Sequence, residues 1–236
     1  MQVNLIGTLF IMESEKNDNI RKNALEKIKV LVKENNALPS TLFQGKDIKK
    51  QIRSYISQII GSDMFHLEQV ITLDSNGSLD VIFLAVTNNE NVKSLPKDYK
   101  LVDFKVENNN TIYFGDKTYK YKTKEIIENN TIDYVHEVTA DDDMRQILLY
   151  LLMGYKRIRV NVDNTDIIFK FMPKSFTLED VRILYQLITE KDVDKSNFRK
   201  KIVKYCEKIE DKETEKIAYR PSQKYRFKPL KGDVWL

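Results

Sequence analysis

Apolar residues recur at roughly every second position over 3–11, the rhythm of a β-strand with one face in a core. A polar stretch over 13–19 follows, and Ile28, Val30, Leu31 and Val32 then predict a second strand. That segment reads two ways, because Ile20, Ala24, Ile28 and Leu31 also keep helical spacing. Asn35-Asn36 marks a turn, and Ala37-Leu38-Pro39-Ser40 interrupts regular structure. Between 47 and 60 the period changes. Ile48, Ile52, Tyr55, Ile56 and Ile59 share one face of a helix, which Gly61 would close in a left-handed conformation. Strands over 70–73 and 79–86 flank an Asp74-Ser75-Asn76-Gly77 turn. From 88 to 130 the chain is rich in Asn and Lys, and reads as strands and loops, with short strand-like pieces such as 111–114 and 118–121. Strands around a central helix predict an α+β domain over 1–138.

A second pattern begins at Asp142-Asp143. Met144, Ile147, Leu148, Leu151 and Leu152 give an amphipathic helix whose acidic start suits the helix dipole. Residues 156–171 read as mostly extended, followed by Pro173. Thr177 is placed to cap a second helix, with Phe176 stapled onto Val181 and Leu178, Leu184, Tyr185 and Ile188 continuing the buried face. A third helix opens at Asp194, with Phe198, Ile202, Tyr205 and Cys206 turned inward. Short strands at 217–219 and 225–227 surround Pro221. Three helices and a basic hairpin, in this order over 139–236, are the order of a winged helix-turn-helix domain.

Charge separates the two halves. Residues 1–141 carry 18 Lys and Arg against 20 Asp and Glu, whereas 142–236 carry 21 against 15, so the second half is the cationic one. An anionic partner for that half fits the asymmetry. No segment has the 18 consecutive apolar residues of a membrane-spanning helix. The stretch 1–12 has neither the basic opening nor the small-residue cleavage site of a signal peptide. A single cysteine, Cys206, excludes an internal disulfide and a cysteine-based zinc site, and a reducing cytoplasm is expected.

With Phe198 facing the core, Ser196, Asn197, Lys200 and Lys204 fall on the opposite side of the third helix, with Arg199 and Lys201 on its flanks. Long cations neutralise phosphates, and short polar residues near a helix N-terminus reach base edges. A solvated charged face is the plainer alternative, but such faces mix signs and 195–204 contains no acid. Lys224, Arg226 and Lys228 alternate with Tyr225 and Phe227, so a strand there would present its cations together. Lys195, Ser196, Asn197, Arg199, Lys200, Lys204, Arg220, Lys224 and Arg226 are therefore the candidate DNA contacts. His66 and His136 lack metal-ligand spacing, and helix capping accounts for Asp141, Asp142 and Asp143. No metal or cofactor is expected.

The run Phe176-Thr177-Leu178 with Tyr185-Gln186, then 194–202 and 220–227, resembles the C-terminal domain of Nudix-related transcriptional regulators of the NrtR type. Ala37-Leu38-Pro39, the helix closed by Gly61, and Leu67-Glu68-Gln69 resemble a Nudix-type domain more weakly. A Nudix hydrolase binds divalent metal through glutamates in an Arg-Glu-x-x-Glu-Glu arrangement before a glycine. Counted back from Gly61, Ser54 and Tyr55 stand for the first pair and Gln58 and Ile59 for the second, with Ser40 or Thr41 near an expected glycine. The resemblance thus implies a degenerate, catalytically inactive Nudix-like domain followed by a winged helix. It further implies a repressor-type regulator that works as a homodimer on double-stranded DNA, with ADP-ribose or a related nucleotide as effector and NAD or sugar metabolism as its setting. Two other functions compete. One is a nucleotide-diphosphate hydrolase with an accessory domain, and the other is a binding protein for RNA or another protein.

Overall fold

A computed structural model describes residues 2–13, 27–75, 77–128, 131–209 and 223–228. They fold as two compact units, Met1–Arg157 and Ile158–Leu236.

The alternating N-terminal segment becomes β1 (Gln2–Glu13), the strand around which the first unit is assembled. With β2 (Lys27–Lys33), β3 (Ser40–Leu42), β4 (His66–Ser75), β5 (Ser78–Asn88), β6 (Tyr99–Glu107), β7 (Thr111–Phe114), β8 (Lys117–Glu128) and β9 (Thr131–Thr139) it forms one mixed sheet. The strand order is β4-β5-β1-β2-β6-β7-β8-β9, and β3 also pairs with β1. Only β1 and β5 run parallel, in register from Gln2↔Ser78 to Met12↔Asn88.

β1 is buried on both faces, and its two sets of side chains serve two helices. Leu5, Leu9 and Ile11 meet Ile52, Ile56, Ile59 and Ile60 of α1 (Ile48–Ile60) in one core. Thr8 and Phe10 point to α2 (Asp142–Asn161), whose Gly154 comes so close that an added Cβ would lie 2.7 Å from Thr8 Oγ1. Tyr155 of α2 packs on Phe10 and Phe104, with ring centroids 6.5 and 5.8 Å away. Helix α1 starts and stops where its sequence directs. The Asp47 side chain accepts from the Lys50 amide at 2.9 Å, and Gly61 closes the helix at φ 66°.

The stretch 88–130, expected as strands and loops, is mostly strand. β6 pairs with β2 through Tyr99–Asp103 and with β7 through Phe104–Glu107, and β8 and β9 form a long hairpin. The alternation is hard to see because one side is solvated: in β8, Tyr121 is buried while Lys120, Lys122 and Lys124 are exposed. Asn108, Asn109 and Gly115 take positive φ at the intervening turns, which accounts for the asparagines.

Residues 156–171 are not extended. Helix α2 continues to Asn161, and α3 (Ile167–Lys170) follows. Ile158 is fully buried while Val160 is 63% exposed, so the β-branched residues here sit on a helix and only imitate strand alternation. The expected domain division at 138 falls in the last residues of β9, whereas the compact units divide between Arg157 and Ile158. The difference arises because the first turns of α2 bury Leu148, Leu151 and Tyr155 with the first unit.

The second unit holds α3, α4 (Leu178–Thr189), α5 (Lys195–Ile202), β10 (Cys206–Lys208) and β11 (Tyr225–Phe227). Thr177 and Asp180 form a complete capping box on α4. The hairpin differs from expectation. α5 ends at Ile202, one 3-10 turn spans Val203–Tyr205, and Cys206 opens β10 rather than lying on the helix. β10 then pairs with β11 in the register Glu207↔Arg226. Phe176 adds a third strand position through reciprocal backbone hydrogen bonds with Tyr225 at 3.0 and 2.8 Å. Phe169 stacks on Phe227 at 4.4 Å and tilts against Phe176, sealing the sheet onto α3. The strand expected at 217–219 lies outside the described residues.

Candidate functional site

Helix α5 is held by two large apolar anchors and exposes almost everything else. Phe198 and Ile202 are buried, and the Phe198 ring meets Tyr185 of α4 at 5.3 Å. Asp194 caps the helix by accepting from the Asn197 amide at 2.8 Å. Lys195, Ser196, Asn197, Arg199, Lys200 and Lys201 are all exposed. Lys204 is also exposed, but it lies beyond the helix in the 3-10 turn, with its ammonium 4.7 Å from the Tyr205 ring centroid. The wing shows the expected alternation, with Lys224, Arg226 and Lys228 exposed while Tyr225 is buried and Phe227 half-buried. Arg220 lies outside the described residues.

These cations differ in what already holds them. Lys195 reaches Glu179 at 3.3 Å, Lys201 reaches Asp163 at 3.4 Å, and Arg226 reaches Glu207 at 2.9 Å. Among the described residues, Arg199 and Lys200 have no carboxylate partner within 4 Å. A phosphate would meet these two without first displacing an internal anion. Glu179 is held below its ordinary range by the Arg182 guanidinium first and Lys195 after it, against an opposing effect of burial. Burial, with the hydrogen bond to Asp163, pushes the Tyr185 hydroxyl up to about 12. Burial alone raises the Cys206 thiol to about 12, which leaves it an unreactive thiol at neutral pH.

A cavity of about 220 Å³ opens where α4, α5 and β11 meet, lined in part by Arg182, Lys195, Arg199, Gln223 and Tyr225. The Tyr225 hydroxyl is buried there without a hydrogen-bond partner among the described residues. Arg182 and Gln223 are absent from the sequence-based set. Arg182 lies three residues after Glu179, where it reads as half of a helical ion pair, and it does make that pair at 2.6 Å.

The first unit carries a larger cleft, of about 550 Å³, between the segment 41–47 and the outer face of α1. Gln51 shapes its rim by donating to the Leu42 carbonyl at 2.6 Å and accepting from the Gln44 amide at 3.1 Å. The cleft is lined by Ser54, Tyr55 and Gln58, three of the four positions at which a Nudix helix would carry its metal-binding motif. Ile59, the fourth, is turned into the core and 5% exposed. The Tyr55 hydroxyl shares a hydrogen bond with Tyr99 at 2.9 Å. Lys46, Asp47 and Lys50 supply the charge, and Asp47 is the lone carboxylate in the lining. Magnesium needs several anionic or strongly polar oxygens in near-octahedral array. One capping aspartate beside two lysines does not fit it. Among the described residues no group of three or more His, Cys, Asp or Glu is placed to hold a metal ion. His66 instead approaches Glu68 at 3.7 Å, and His136 contacts Thr123 at 3.0 Å. Among the described residues no helix is long and apolar enough to cross a membrane.

Comparison with known proteins now places both units. The family model of the NrtR DNA-binding winged helix domain matches residues 168–227. A MutT/nudix family protein from Enterococcus faecalis superposes with a TM-score of 0.64 at 16% identity, covering 96% of this chain and 86% of that one. Shewanella oneidensis NrtR superposes at 0.63 and 13% identity over 97% and 94% of the two chains. The same protein complexed with a 27mer DNA gives 0.59 and 14% over 96% and 93%. No curated protein sequence matches the chain. At these identities the structures establish the fold, a Nudix-like α+β domain followed by a winged helix.

Proposed function

We propose that this chain, whose residues 168–227 match the NrtR DNA-binding winged helix domain, is a cytoplasmic transcriptional repressor that senses a nucleotide-type metabolite through its N-terminal unit. DNA binding follows from the matched domain. The observation that carries the operator contact is the acid-free cationic face of α5, with Arg199 and Lys200 exposed and without ion-pair partners among the described residues. Lys195, Ser196, Asn197, Lys200 and Arg199 then present the groups that engage a major groove, while Lys224 and Arg226 follow the backbone. Arg220 is a further DNA contact in this reading, and Lys204 contributes from the adjoining turn. Two copies acting as a homodimer would read two half-sites.

ADP-ribose or a related diphosphate is the proposed effector, acting as a ligand rather than a substrate. The donor set of the α1 cleft supports this, since Tyr55 and Gln58 stand where metal-binding glutamates would, with Ser54 beside them. The similarity in fold to a MutT/nudix protein keeps a hydrolase as the second reading. Incubating the full chain with ADP-ribose and magnesium separates the two. Release of phosphorylated products above background supports the hydrolase, and unchanged ADP-ribose with altered DNA affinity supports the sensor. Ligand and DNA must then oppose or assist each other by one factor in both directions. Equal ADP-ribose affinity with and without operator DNA would sink the sensor.

A further inference from the structure

We propose that the α1 cleft binds the diphosphate group of its ligand directly on Lys46 and Lys50, with no divalent cation between them. The proposal rests on the reading of the first unit as a diphosphate sensor and adds how the charge is met. A metal-dependent site places carboxylates around the cation, so its protein lining is anionic. Here the lining has the reverse sign. Lys46 and Lys50 are exposed, and among the described residues neither has a carboxylate within 4 Å. The one carboxylate beside them, on Asp47, is engaged by the Lys50 backbone amide at 2.9 Å as the helix cap. Gln58 and Ser54 add neutral hydrogen-bonding groups along the same face.

The cleft volume of about 550 Å³ suits a small organic ligand. Gln51 ties the loop bearing Lys46 to the helix bearing Lys50, so the two ammonium groups are presented from one braced unit. A carboxylate lining must take up a cation before a diphosphate can approach, whereas this one attracts the anion outright. Lysine serves here as a point charge, so phosphate esters of different shape should compete as long as they carry the diphosphate.

The test is calorimetric titration of the full chain with inorganic pyrophosphate and, separately, ADP-ribose, each in magnesium and in EDTA. Both should bind in EDTA at least as tightly as in magnesium, which withdraws free diphosphate into its own complex. Lys46→Ala and Lys50→Ala should each weaken both ligands about tenfold or more, the loss of one charge-assisted hydrogen bond. Lys49→Ala, an exposed neighbour outside the lining, should leave them unchanged, and unaltered melting temperatures would show that all variants fold. Binding that requires magnesium would overturn the proposal, as would binding indifferent to both lysine substitutions. ADP-ribose that shifts DNA affinity equally in wild type and in the lysine variants would overturn it while leaving the sensor intact. Lysine-dependent pyrophosphate binding without any effect on DNA would uphold it and remove the sensor reading.

Discussion

Replacing Arg199 and Lys200 together by alanine isolates the electrostatic share of DNA binding. Both side chains are exposed and lack ion-pair partners among the described residues, so their removal orphans no carboxylate. Such surface changes alter stability by no more than about 0.5 kcal/mol, and thermal unfolding should be nearly unchanged. Each phosphate contact contributes about 0.9 to the slope of log affinity against log salt, so losing two lowers that slope by about 1.8. Over a fourfold rise in salt the wild type should lose about twelvefold more affinity than the double variant. Fluorescence anisotropy on one labelled duplex across a salt series measures both slopes. A parallel substitution, Arg226→Ala, gives an internal comparison, because Arg226 is already engaged by Glu207 at 2.9 Å and should shift the slope less. Equal slopes for wild type and double variant, with DNA binding intact, would refute the placement of α5 on the phosphates.

Other outcomes follow from the packing. Gly154→Val should lower the melting temperature by overpacking, at a cost of about 1–3 kcal/mol, since even its Cβ would lie 2.7 Å from Thr8 Oγ1. Thr177→Ala should cost about 1 kcal/mol by opening the capping box of α4, readable in denaturant unfolding, whereas Thr177→Ser should cost less. The stabilising pairing of Glu179 with Arg182 and Lys195 is present above the ordinary carboxylate range and is lost as pH falls through the lowered folded value. The melting-temperature gap between wild type and Glu179→Gln should therefore close on acidification, and a gap independent of pH would contradict that origin.

The sequence disclosed elements wherever one residue type had one reading. Gly61 ends α1 and Thr177 starts α4 as read, because caps are local chemistry. It misled where two structures share a pattern. Arg157-Ile158-Arg159-Val160 alternates like a strand, yet burial of Ile158 and exposure of Val160 belong to a helix whose partners are distant in sequence. The wing hairpin was half legible. β11 shows its alternation, but β10 follows α5 so closely that Cys206 extends the helical spacing of Phe198 and Ile202. The α5 cations could be read as a set, although their ion-pair partners could not: Glu179 and Asp163 approach Lys195 and Lys201 only through tertiary folding. The α1 cleft was legible as missing glutamates, while its positive lining depends on how Gln51 folds the 42–46 segment over the helix.

The most direct test is binding of the purified full chain to its own upstream DNA at two salt concentrations, with and without ADP-ribose. Tight, salt-sensitive binding that ADP-ribose shifts is the expected result. Binding no stronger than to random DNA of equal length, at both salt concentrations, would contradict an operator-specific regulator.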